Sequence, residues 1–225
     1  MNLRCQSTYM PFPQIAVTRE PTEEHTIVKL IGIGVCGRQA LKQLAEHRIP
    51  YVETMACDEL DDDVRAFMVK AHLLFLVFDP DEANELNVAV GISKLGADMP
   101  NLVTIAVSVL PTAWQAQWGA RLTLPTDEPG KYLLLVVVGL SAILRQEGYV
   151  GVDFMDVRHI LSQPGCCTFG VGIAQGADRG QSAAHLALQQ IAASGSRIGD
   201  MAGGIVILSS AMGSLKLVES KTTMN

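Results

Sequence analysis

The sequence predicts an α/β protein built on a doubly wound, mainly parallel sheet. Two observations carry that expectation. Strand-like and helix-like segments alternate through the first half, which implies helices on both faces of one sheet. Leu73 to Phe78 is also apolar at every position, as a strand covered on both faces can be. In order, Thr26 to Ile33 (TIVKLIGI) reads as a strand ending in glycines. Gln39 to Arg48 reads as a helix, Tyr51 to Ala56 as a short strand and Asp61 to Lys70 as a polar helix. Leu73 to Phe78 is an apolar strand, Ala83 to Leu95 a helix and Leu102 to Leu110 a buried strand.

The chain has 225 residues, enough for one large domain or two small ones. Hydrophobic residues make up 48% and charged ones 18%, which favours a packed core over disorder. The net charge of −6 advertises no basic surface, so nucleic acid and anionic lipid are not expected partners. The five cysteines, Cys5, Cys36, Cys57, Cys166 and Cys167, form no C-x-x-C pair and fit a reducing cytoplasm. The histidines are scattered without H-E-x-x-H, and no metal site is expected. Met1 to Glu24 is polar and punctuated by proline. It reads as a partly disordered extension without a signal peptide. The most apolar run, Tyr132 to Leu144, is thirteen residues long. A bilayer needs about 20, so direct membrane insertion is not expected. A buried helix is the first reading of this run. A strand over Leu133 to Val138, with its three valines, is the second.

Two candidate sites stand out. Gly32-Ile-Gly34-Val-Cys-Gly37 gives G-x-G-x-x-G between a strand and a helix, where glycines permit a tight turn and close backbone approach to phosphate. The same glycines serve any strand–helix turn. A dinucleotide site of Rossmann type also wants an acid at the end of the next strand, where Asp58 and Glu59 stand. The other candidate is Gly148-Tyr-Val-Gly-Val-Asp153-Phe-Met-Asp156, which opens an amphipathic helix. Its two carboxylates sit one turn apart on one face. Taken alone, ordinary helix capping is the first reading of such a pair. After it come Thr168 to Gly180 (TFGVGIAQGADRG), an alanine-rich helix from Gln181 to Ala193, and Gly204 to Ser210 as a strand.

This succession, about 65 residues from Gln146 to Ser210, resembles the second half of FtsZ, the bacterial homologue of tubulin. Val28 to Ala40 likewise resembles the opening segment of that family, with Arg38 where a polar amide is usual. The resemblance implies a GTPase-like domain over 25–130, a central helix over 131–147 and a smaller, apparently truncated α/β domain over 148–225. It implies that Gly32, Gly34, Gly37 and Arg38 face guanine nucleotide, and that Asp153 and Asp156 act catalytically across a head-to-tail subunit contact. It further implies a cytoplasmic location, with self-association or an FtsZ-type filament as partner.

The chain also departs from the family. Where a glycine-rich loop wraps the phosphates, it has Asp79-Pro-Asp-Glu-Ala-Asn-Glu85. Pro80 has no N–H to donate, and four carboxylates repel phosphate. Gly151 replaces the loop asparagine, and only 16 residues separate Ala56 from Leu73. The expectation is an FtsZ-like cytoskeletal protein in which GTP or GDP binds weakly or not at all. A working GTPase of cell division is the alternative, and a Rossmann-type oxidoreductase the remote one.

Overall fold

The computed structural model describes residues 26–47, 49, 51–108, 120–124, 129–144, 152–163, 165–211 and 214–224. The N-terminal extension and Gly148 to Gly151 lie outside them. Six strands form one sheet in the order β2-β1-β3-β4-β5-β6. They are β1 (Val28–Ile33), β2 (Val52–Cys57), β3 (Leu73–Phe78), β4 (Val103–Ser108), β5 (Ala120–Thr123) and β6 (Gly165–Cys167). All neighbouring pairs are parallel. The helices are α1 (Gly34–Ala45), α2 (Asp62–Met68), α3 (Ala83–Ala97), α4 (Pro129–Ile143), α5 (Phe154–Leu161), α6 (Arg179–Ala193) and α7 (Leu217–Met224).

Alternation along the strands creates two cores. Val28, Leu30, Leu73, Phe75, Val77 and Ile105 pack under α1, α4 and α5. Ile31, Ile33, Leu74, Leu76, Phe78 and Ala106 pack under α2 and α3. Every residue of β3 is buried, because both its faces are covered. Each such large side chain contributes about 1.5–3 kcal/mol by leaving water. Lys29 is the exception in β1. Only 7% exposed, it pairs with Glu53 at 2.9 Å and lies 4.9 Å above the Phe67 ring. A buried ammonium needs such partners.

The apolar run after β5 is the helix α4, and Leu133, Leu134, Val137 and Leu140 seal the first core. The strand alternative for this run is therefore set aside. A second expectation fails. Gly204 to Ser210 is not a strand but irregular backbone, with Val206 65% exposed. It runs beside α4 and α5, where Ile207 reaches Gly139 and Ile160 reaches Gly203. No strand lies alongside it among the described residues, and without a partner an apolar segment makes no ladder bonds. Thr168 to Gly180 forms no strand before α6, and the short strand β6, which pairs with β5, ends just ahead of it at Cys167.

Helix α6 buries none of its residues. Its start is tied to α7 by Arg179, which donates to Glu219 at 2.8 and 3.0 Å and to the Ser214 carbonyl. The Arg179 bond, then the Lys216 N–H, hold the Glu219 carboxyl down at about 2, against 4.5 ordinarily. A lowered carboxyl stabilises the fold above its unfolded value and loses that contribution as pH falls through its folded value. Glu219→Gln should therefore unfold earlier than the parent in denaturant at pH 7. The gap should close between about pH 4.5 and about pH 2. An unchanged gap across that window would show that the ion pair does not hold α7.

Candidate functional site

The winding of the sheet reverses between β1 and β3. The chain leaves β1 toward β2 through α1, and leaves β3 toward β4 through α3. In open parallel sheets a crevice forms beyond the carboxyl ends of the strands at such a point, and ligands bind there. Here its walls are the Gly32–Arg38 turn and the Asp79–Glu85 loop.

Packing explains two of the glycines. A Cβ on Gly32 would meet the Gly37 carbonyl oxygen at 2.6 Å. A Cβ on Gly37 would strike the Val77 carbonyl oxygen and approach the Gly32 carbonyl carbon at 2.6 Å. Both glycines let α1 press onto β1 and β3. Gly34 is different. Its φ of 63° belongs to the left-handed region, and a Cβ there would collide with the Glu85 carboxylate.

Glu85, in the first turn of α3, thus lies against the glycine turn. Its Oε2 accepts the Asp79 N–H at 2.8 Å. Asp79 Oδ1 in turn accepts the Asp81 N–H at 2.9 Å, which closes the loop on itself. The charge is felt across the crevice. Burial first, then Asp79 and Glu85, push the Cys36 thiol up to about 11. Arg38 forms an ion pair with Asp58, just beyond β2. It lines a cleft of about 300 Å³ with Met55, Cys57, Asp58, Asp61 and Val64. That cleft is acidic too, although Asp61 also caps α2 by accepting the Val64 N–H at 2.8 Å. Burial, then Asp58 and Asp61, raise Cys57 to about 11 against a lowering by Arg38. Among the described residues no group of three His, Cys, Asp or Glu side chains is placed to hold a metal ion.

Asp153 and Asp156 lie at the other end of the sheet. Asp153 caps α5 by accepting the Asp156 N–H at 3.0 Å, and Asp156 accepts the Asp153 N–H at 3.1 Å. This reciprocal capping box explains the pair locally. Both residues are nevertheless exposed, beside Met155, which is 58% exposed. The Phe154 ring meets His72, which precedes β3, at 5.3 Å. Arg158 donates to Asn101, which precedes β4, at 2.8 Å. The carboxylates therefore sit at the amino edge of the strands. The length of β3 separates them from the glycine turn, roughly 20 Å at about 3.3 Å per residue.

The structure thus gathers Gly32, Gly34 and Gly37, turns Arg38 toward Asp58, and holds Asp153 and Asp156 apart from all four. Arg121, in β5, donates to Cys166 Sγ at 3.1 Å. Sequence reasoning counted Glu85 among the loop acids but missed its seat against Gly34. Only the pairing of β1 with β3 brings the two together.

The strand order and its switch point define a doubly wound α/β fold. No family model matches the chain. It is similar to the cell division protein FtsZ of Methanothermobacter thermautotrophicus, at 26% identity over 191 residues, covering 71% of this chain and 49% of that protein. FtsZ of Buchnera aphidicola subsp. Baizongia pistaciae is 23% identical over 222 residues, covering 84% and 57% respectively. FtsZ of Coxiella burnetii is 31% identical over 100 residues, covering 44% and 25%. The chain thus spans between a quarter and just over half of these relatives. Two M. jannaschii structures, a tryptophan-to-tyrosine mutant of FtsZ and an empty FtsZ dimer, share the fold. Their TM-scores are 0.62 and 0.61 at 14% identity, each covering 74% of this chain and 71% and 69% of theirs. These comparisons support a divergent place for the chain in the FtsZ/tubulin superfamily.

Proposed function

We propose that the protein is an FtsZ-like cytoskeletal protein that associates head to tail, with itself or with an FtsZ-type filament, and binds guanine nucleotide weakly or not at all. The observation that carries this reading is the glycine-free, acidic Asp79–Glu85 loop facing the glycine turn. A phosphate group does not fit these residues. A carboxylate about 4 Å from a phosphate costs roughly 1 kcal/mol in water and several at a half-buried site.

The two ends of the sheet support a head-to-tail contact. Val35, 70% exposed, stands at the crevice end, and Met155 stands with Asp153 and Asp156 at the other. Carboxylates at one end could meet the crevice only on another subunit, and a head-to-tail contact that does not close gives a filament. In this reading 25–130 is the nucleotide-type domain, α4 belongs to the central helix of 131–147, and 148–225 is the smaller domain. No helix among the described residues is long and apolar enough to cross a membrane, and the proposed location is the cytoplasm. A second reading, a polymer that hydrolyses GTP, has the G-x-G-x-x-G turn in its favour.

Light scattering across a salt series is the test. The protein should associate as its concentration rises, as filaments or at least dimers, with no GTP present. Salt should strengthen this if acidic ends repel, since screening shortens to about 3 Å at 1 M. A monomer at roughly 100 μM at every salt, with or without GTP, would replace self-assembly by a partner-binding role.

A further inference from the structure

We propose that Glu85 is a built-in occupant of the anion seat at the β1–α1 turn, so that the chain's own carboxylate stands where a polyphosphate oxyanion would bind. The inference rests on the reading of the crevice given above and names what keeps it shut. Three observations carry it. The Glu85 carboxylate lies so close to Gly34 that even a methyl group there would collide with it. The same carboxylate takes the Asp79 N–H at 2.8 Å, a donor just beyond β3 on the crevice wall. And α1 brings no anion of its own, since its N-cap makes no side-chain bond and its first turn holds no acid. A helix N-terminus favours negative charge. Glu85 places a carboxylate beside that terminus from the neighbouring helix. The raised thiol of Cys36, after burial, reports both Asp79 and Glu85 at this turn.

Gly34, on this account, serves the carboxylate as much as a ligand. Its missing side chain is the space into which Glu85 fits. Removing the carboxylate therefore uncovers an oxyanion seat that the fold already has, with the glycine turn and the Asp79 N–H in place. Glu82 is the internal control. It stands in the same loop at the N-cap of α3, and its side chain makes no capping bond there. Its removal deletes the same charge without emptying the seat.

The experiment is equilibrium binding of a fluorescent GTP, with inorganic pyrophosphate as competitor, to the parent, Glu85→Ala, Glu85→Gln and Glu82→Ala. Circular dichroism and thermal unfolding confirm that each variant is folded. Glu85→Ala should bind at least about tenfold more tightly than the parent, with pyrophosphate competing, and Glu85→Gln should fall between. Glu82→Ala should gain less than about threefold. Should Glu85→Ala be unfolded, Glu85→Gln alone must still gain over the parent. Equal affinities of parent and folded Glu85 variants overturn the proposal, and so does an equal gain from Glu82→Ala, which would reduce the effect to net charge. If Mg²⁺ lets the parent bind as tightly as Glu85→Ala, Glu85 is a cation ligand and the proposal falls. Tight binding by the parent without metal defeats the functional reading as well, whereas weak binding by all variants defeats only this inference.

Discussion

Gly37→Ala is expected to destabilise the protein by about 3 kcal/mol, near the upper end of typical overpacking. The added methyl group would strike the Val77 carbonyl oxygen and crowd the Gly32 backbone. Those atoms belong to β1 and β3 at the centre of the sheet, each held by neighbours on both sides. They cannot step aside as the end of a flexible side chain would. Cα–Cα packing of α1 against both strands is what positions the turn, so the fold and the crevice should fail together. Urea unfolding of parent and variant checks this. A loss below about 0.5 kcal/mol, the range of ordinary surface changes, would mean that α1 does not press on the sheet as described.

The second large effect concerns assembly rather than folding. Asp153→Ala with Asp156→Ala should change head-to-tail association, strengthening it if the acidic ends repel. It should also cost about 1 kcal/mol of stability, because the reciprocal caps of α5 are lost. Asp153→Asn separates the two roles, since asparagine caps a helix as well as aspartate does but carries no charge. That variant should keep its stability and still assemble differently from the parent. Sedimentation and denaturant unfolding of the same samples give both readings. Normal assembly by Asp153→Asn, beside an unstable double alanine variant, would make the pair structural only.

Much of this was legible in the residues. Leu73–Phe78 is apolar throughout and is a strand with those bounds. The glycines at 32, 34 and 37 marked the turn from β1 into α1, though the helix begins at Gly34 itself rather than at Gln39. The Asp153–Asp156 spacing gave both a cap and an exposed acidic pair, and the structure has both. What could not be read was long-range. Strand composition in Gly204–Ser210 names a propensity, but a strand needs a partner, and no local pattern supplies one. Strands β5 and β6, of four and three residues, are too short to show a period. The meeting of Glu85 with Gly34 spans 51 residues and exists only because β1 and β3 are neighbours.

The central claim is that an FtsZ-type fold here carries a crevice closed to nucleotide. Equilibrium binding of labelled GTP to the purified parent protein, without added metal, tests it most directly. The account predicts a dissociation constant weaker than about 100 μM, roughly −5.5 kcal/mol, and no guanine nucleotide carried through purification. A low-micromolar constant, or nucleotide that copurifies with the protein, would contradict it.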